Sequence, residues 1–221
     1  MSFPPQYHTV RAKSRRELAG EASRAKAVRA AVELFAASGF KGTSVAKVAA
    51  RTGLSQSGLL HHFPSKAVLL SAVLEARDAE DGVFLTAEDG EAPLGWDAFD
   101  ALEALVARNS TRPQLVGLFV RVSAEAIEAG HPAHDWLKDR YAGMEAWLTD
   151  AVRIGQVRGD IRADAPIDIL VHNTIAILDG LQQQWLLHPE RVSMVKEFGA
   201  YVAELRARWA TAEMPEQRKG S

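Results

Sequence analysis

The 221 residues include no cysteine, which removes disulfides, thiolate nucleophiles and zinc–sulfur sites together. Nearly half are apolar (47%), enough for a substantial core. No apolar leader follows the first residues, and no apolar run approaches the ~20 residues that span a bilayer, so a cytoplasmic chain with no membrane partner is expected. The net charge of −2 hides an asymmetry. Met1 to Lys66 holds 11 Lys+Arg against 3 Asp+Glu, a balance of +8, while the remainder holds 15 against 25, a balance of −10. A basic module that meets a polyanion, followed by an acidic one that does not, accounts for this; a merely solvated helical face is the alternative.

Residues 1–20 read as a mobile basic arm. Pro4 and Pro5 break early structure, and Arg11, Lys13, Arg15 and Arg16 cluster without apolar periodicity. From Glu21 the pattern is helical: Val28, Ala31, Val32 and Phe35 form one apolar stripe, and Gly39 sits where a left-handed cap ends the helix. Ser44 caps a short helix through Arg51, Gly53 stops it, and Ser55 caps a third helix to about His62. Pro64 interrupts, and Ser65 caps a fourth helix through Ala76. The stretch from Gly82 to Gly95 is acidic, with glycine and proline, and reads as a loop. Beyond it only helical patterns follow, over about 96–109, 113–129, 133–157, 166–187 and 192–211. The fold class is all-α.

Two short helices joined by a glycine turn have the dimensions of a helix-turn-helix. Ala49 is small at the crossing, Leu54 and Leu59 point to the core, and Gln56, Ser57, Gly58 and His61 are presented outward. The segment FAASGFKGTSVAKVAARTGLSQSGLLHHFPSKAVLL, residues 35 to 70, resembles the N-terminal signature of the tetracycline-repressor (TetR/AcrR) family of bacterial transcriptional regulators in order and spacing. LDGLQQQWLLHPE, from Leu178 to Glu190, is similar to the family's penultimate helix. One departure is Leu60, where the family commonly carries a phosphate-touching Tyr.

The resemblance implies a mobile arm (1–20), a three-helix DNA-binding domain (21–66), a larger helical effector-binding and dimerisation domain (67–212) and a tail (213–221). It further implies that Thr43 and Lys66 hold phosphates and that Lys47 and Arg51 flank them. Gln56 would read adenine, Ser57 a base edge or phosphate, and Gly58 would admit a thymine methyl, with Ser55 at the helix start. Of the adjacent histidines, His61 is expected to touch DNA and His62 to be partly buried or phosphate-facing. Neighbouring helical positions point about 100° apart, which disfavours a shared zinc ion.

In the C-terminal part, Val195, Phe198, Val202, Leu205 and Trp209 form a heptad seam, with Leu170, Ile177, Gly180 and Leu181 on the preceding helix. An intramolecular contact and a dimer interface both explain it; the resemblance implies a four-helix dimer interface, hence a homodimer on a palindromic double-stranded DNA operator. Trp96, Phe119, Trp136, Tyr141, Met144 and Trp147, with His172, Asn173 and Gln183, are candidates to line an apolar cavity, against the plainer reading that most are core. The expected function is a repressor released by a small hydrophobic effector, without catalytic residues, metal or cofactor. The rivals are an effector-independent architectural DNA-binding protein and an all-α metalloenzyme around His131, His134 and Asp135.

Overall fold

The structure, a computed structural model, describes residues 14–86 and 91–211. Helix α1 (Arg15–Gly42) opens on a capping box, in which the Ser14 hydroxyl accepts the Glu17 N–H and the Glu17 carboxylate accepts the Ser14 N–H. The helix therefore begins well before Glu21, inside the stretch expected to be an arm. A capping box starts a helix without help from apolar periodicity, which is why the stripe begins later than the helix does. Residues 1–13 of that arm, and the tail from residue 212, lie outside the described residues.

Gly39 breaks α1 near its end, at φ 67° and ψ −177°. Two short helices follow, α2 (Val45–Thr52) and α3 (Gln56–His62), then α4 (Lys66–Leu85). All three take the serine caps expected of them: Ser44, Ser55 and Ser65 accept the amides of Lys47, Gly58 and Val68. The loop expected from Gly82 is displaced, because α4 continues to Leu85. Tertiary contacts hold those last turns against the local glycine signal. Arg108 reaches Glu80 and Asp81 and lies over the Phe84 ring at 4.8 Å, while Arg112 pairs with Glu80 at 3.1 Å.

The rest is α5 (Trp96–Ser110), α6 (Pro113–Ala126), α7 (His134–Arg158), α8 (Ile167–Leu187) and α9 (Met194–Trp209). Among the described residues the only strand-like feature is an isolated bridge between Ile161 and Ala210, so the architecture is all-α. Within the same residues no helix is long and apolar enough to cross a membrane.

Two apolar cores organise these helices. The first unites Phe35, Val48, Leu59, Phe63 and Leu70 of the N-terminal helices with Leu118, Phe119, Val122 and Ala126 of α6. It runs unbroken across residue 66, so the helix-turn-helix and the following body share buried side chains. The second joins α5, α7, α8 and α9 around Phe99, Leu148, Val171 and Phe198. Tyr141 packs against both.

The second core corrects part of the heptad-seam expectation. Phe198 and Val202 are fully buried, and Leu170 and Leu181 nearly so, because α9 packs back on α5 and α8 of its own chain. Those four side chains are consumed within the protomer. Val195 is exposed, and Ile177, Gly180, Leu205 and Trp209 remain half-buried.

The break at Gly39 makes a testable demand. Its conformation is one that only glycine adopts easily, and a Cβ there would collide with the Glu125 carboxylate and approach Arg121 Cδ at 3.3 Å. Gly39→Ala is expected to cost about 2–3 kcal/mol, combining backbone strain of about 1–3 kcal/mol with displacement of Glu125. Urea unfolding monitored by circular dichroism checks this; an unchanged midpoint would show that the break is not required.

Candidate nucleic-acid interface and ligand cavity

The α2–α3 unit is built by short-range chemistry. Gly53 turns the chain in the left-handed region (φ 70°), its amide returning to the carbonyls of Ala49 and Ala50. Leu59 and Phe63 are fully buried and fix α3 from its inner side. The opposite face exposes Gln56, Ser57 and His61, with Leu60 between them at 36% exposure. No intrahead partner ties down the Gln56 or His61 polar atoms except a ring contact of His61 with His62 at 5.7 Å. Ser57 shares a 3.1 Å hydroxyl contact with Ser55. Gly58 is half-buried, its amide held by Ser55, and His62 is half-buried against Phe63.

Of the four expected phosphate contacts, two are placed on the surface. Lys47 is exposed and donates to the Gly42 carbonyl at 2.9 Å, and Arg51 is exposed with Glu33 at 2.6 Å. The other two are turned inward. Thr43 is buried, its hydroxyl bonded to the carbonyls of Leu34 and Gly39 and its amide to Phe40 O. Lys66 Nζ donates to the carbonyls of Phe40 (2.8 Å) and Thr43 (3.0 Å) and lies over the Phe40 ring at 4.2 Å. Both residues staple the end of α1 to the start of α4, satisfying carbonyls that the broken helix leaves open. Arg24, exposed beside the Phe63 ring at 5.2 Å, is a cation of the head that sequence spacing did not single out.

A cavity of about 50 Å³ lies in the body, where α4, α5, α6, α7, α8 and the start of α9 meet. Of the expected lining residues it includes Phe119, Tyr141 and Met144. Gln183 lines a neighbouring cleft with Tyr141 and Asp179. The five other candidates have different work. Trp96 Nε1 donates to Asp160 O, Trp147 Nε1 to Pro93 O, and Trp136 Nε1 to Asp78 at 2.7 Å. His172 and Asn173 face outward from α8, with His172 3.4 Å from Glu145. An indole N–H finds a partner wherever the ring is half-buried, and that need placed each Trp on loop backbone or on a carboxylate instead of in the cavity.

Several charged groups of the cavity were not singled out in the sequence. Arg77 is 6% exposed, with its guanidinium 4.5 Å from the Phe119 ring centre and 3.7 Å from Asp81. Burial, then the neighbouring Arg140, pushes its pKa down to about 10. Arg140 lies over the same ring at 5.0 Å and pairs with Asp78. Asp179 accepts the Tyr141 hydroxyl at 2.6 Å, and burial raises both groups above their ordinary values. The i, i+4 spacing of Arg77 and Asp81 was the available signal, but it is equally that of a solvated helix face.

His131 and His134 serve the α6–α7 connection: His131 Nδ1 accepts the Ala133 amide, and His134 Nδ1 contacts the Ala126 carbonyl at 2.8 Å. Asp135 lies in the first turn of α7 without capping it.

The family model described as "Bacterial regulatory proteins, tetR family" matches residues 27–73. The chain is 26% identical over 189 residues to the HTH-type transcriptional regulator TtgR of Pseudomonas putida, covering 81% of this chain and 88% of that one. Its fold is similar to a TetR transcriptional regulator of Chloroflexus aurantiacus, with a TM-score of 0.74 and 22% identity over 88% of this chain and 100% of that one. It is also similar to SmeT bound to triclosan, with a TM-score of 0.72 and 15% identity over 87% and 93%. SmeT is the repressor of the Stenotrophomonas maltophilia efflux pump SmeDEF.

The Lys66 staple predicts a stability effect at a position expected from sequence to grip DNA. Lys66→Met is expected to destabilise the protein by about 1–3 kcal/mol, the range for hydrogen bonds from a charged group. Denaturant titration measures it. If Lys66→Met unfolds like the parent protein while its DNA affinity becomes less salt-dependent, Lys66 is a phosphate ligand and the staple is incidental.

Proposed function

We propose that the chain, which matches the tetR-family model over residues 27–73, is a homodimeric repressor of that family. Its two α3 helices read a palindromic duplex, and its body releases that duplex on binding a small, mainly apolar effector. The observation that carries this reading is the two-faced character of α3. Leu59 and Phe63 lock one side into the core, which leaves Gln56 and His61, with Ser57 bonded only to its neighbour Ser55, on a rigid outer surface. Lys47 and Arg51 supply exposed cations on the neighbouring helix.

A dimer supports such a reader because two recognition helices ~34–36 Å apart meet successive major grooves on one face of the duplex. With Leu170, Leu181, Phe198 and Val202 buried within the protomer, the interface of this reading is the outward side of α8 and α9. There Ile169, Ala176, Gly180 and Leu187 follow one another at spacings that keep them on one face, beside Ala200 and Ala203. Functionally, residues 21–66 form the reading head and 67–212 the body, although both draw on the first core.

The effector reading is supported by the cavity at the junction of six helices and by the triclosan complex of SmeT. At about 50 Å³ the cavity is far below the ~300–1,000 Å³ of ligand clefts. A ligand must therefore select a state in which the surrounding helices have moved apart, and that differential affinity is what shifts the heads.

Selection of bound duplexes from a genomic fragment pool should yield an inverted repeat, and binding should be that of a dimer. With that operator, Gln56→Ala is expected to cost about 1–3 kcal/mol and to relax preference at one base pair per half-site. Lys47→Ala should weaken binding uniformly and lower the salt slope by about 1 per half-site. Recovery of no enriched sequence, or indifference of both variants, would count against α3 as the reading element.

A further inference from the structure

We propose that the body cavity recognises an organic anion, an apolar molecule ending in a carboxylate held by Arg77 and Arg140. The inference deepens the effector reading above and rests on it. Six buried side-chain polar atoms among the described residues lack a hydrogen-bond partner, and three belong to residues lining this one cavity: Arg77 Nη1, Arg140 Nε and Gln182 Oε1. Buried polar atoms are ordinarily satisfied, so such a concentration points to a partner supplied from outside the chain.

The type of atom left open indicates the ligand's charge. Arg77 and Arg140 both have guanidinium N–H donors without acceptors, and their charges converge on the single ring of Phe119. Arg77 is the more extreme. Its side chain is 5% exposed, and its ion-pair partner, Asp81, stands 3.7 Å away and also binds Arg108 at 3.2 Å, with Asp78 and Asp179 acting on it from further off. Even with its pKa depressed to about 10, it stays charged at neutral pH. A buried guanidinium with a shared, distant counter-ion is poorly neutralised, and a ligand carboxylate provides the planar double acceptor that the fork matches.

The acidic groups nearby do not offer a rival site for a cation. Asp78 is bound by Arg140 and by the Trp136 indole, Asp81 by Arg108, and Asp179 by the Tyr141 hydroxyl. Each of these carboxylates has a donor, although Asp81 Oδ2, 3.7 Å from Arg77 Nη2, is left without a hydrogen bond, and two guanidiniums have donors to spare. Leu102, Leu105, Val106, Met144, Leu178 and Leu181 give much of the rest of the wall, which suits an apolar body, with Asn109 and the Tyr141–Asp179 pair as its other polar groups. Gln182 Oε1 can accept from a hydroxyl on it.

The test uses the full-length dimer with three matched probe sets: 2-naphthoate, cinnamate and decanoate, each beside its primary amide and the corresponding primary amine. Calorimetry measures binding and fluorescence anisotropy measures release of the selected operator. At least one carboxylate should bind tenfold or more tighter than its amide and amine. Arg77→Met should erase that margin and leave amide binding unchanged, while Arg77→Lys restores part of it. Circular dichroism confirms that both variants are folded; if Arg77→Met is not, Arg140→Gln carries the same comparison. An amide or amine that binds as well as its carboxylate, a margin insensitive to these variants, or no binding by any carboxylate overturns the proposal. If an amide or amine nonetheless releases the operator, the effector reading survives alone. If a carboxylate binds through Arg77 but leaves operator affinity unchanged, the anion site stands and the effector reading falls.

Discussion

The position of the reading head depends on one carboxylate. Glu125, near the end of α6, accepts the amide of Phe40 at 2.9 Å, just after the break at Gly39. An amide freed by a broken helix would otherwise lie half-buried without an acceptor, at a cost of about 1–3 kcal/mol. Glu125 relieves that cost and occupies the space in which any Cβ at Gly39 would sit. The same carboxylate lies 3.6 Å from His131 Nε2, whose ring stands edge-on to Phe40 at 5.1 Å. The end of α1, the end of α6 and the turn into α7 are thereby joined at one point, and α2 and α3 hang from it.

Around that point the two residues expected to hold phosphates become intelligible. Once α1 is broken, the carbonyls of Leu34, Gly39, Phe40 and Thr43 need donors, and Thr43 and Lys66 are the donors. A Thr and a Lys bracketing a helix-turn-helix look the same in sequence whether they bond outward to phosphate or inward to carbonyls. Only the coordinates of the broken helix decide, because the decision turns on ψ at Gly39, which no residue type announces.

Much else was legible because it is local. Three serine caps, the left-handed turn at Gly53 and the inward Leu59 follow from patterns within a few residues, and the fold class from the periodicity of the whole chain. Apart from the Ser14 capping box, the outcomes missed are long-range. The continuation of α4 to Leu85 is secured by Arg108 of α5 and by Arg112 just before α6. The heptad seam of α9 is real, yet periodicity reports only that a face is buried and not whether the burying surface belongs to the same chain. The cavity residues failed differently. Aromatics were the natural guess for an apolar site, but the indoles of Trp96, Trp136 and Trp147 were claimed by their N–H partners, and the wall was left to Phe119, Tyr141, aliphatic residues and two arginines.

This last outcome connects the cavity to the head. Arg77 lines the cavity from α4, the helix whose first residue, Lys66, holds the broken end of α1. Phe119 lines it from α6, the helix that carries Glu125. At 1.5 Å per residue, the two helices place cavity and head attachment about 16 Å and about 9 Å apart along their axes. Neither helix contains an interior break, so each moves largely as a rod. Under the proposed function, a ligand that spreads the cavity must push Arg77 or Phe119 outward, and either push moves a rod whose other end grips α1. The two rods grip that helix at adjacent carbonyl and amide groups, Phe40 O and Phe40 N, so unequal motion would tilt the head about Phe40. Close-packed interfaces yield by discrete rearrangement, and a tilt at this single residue is the smallest rearrangement that satisfies both rods.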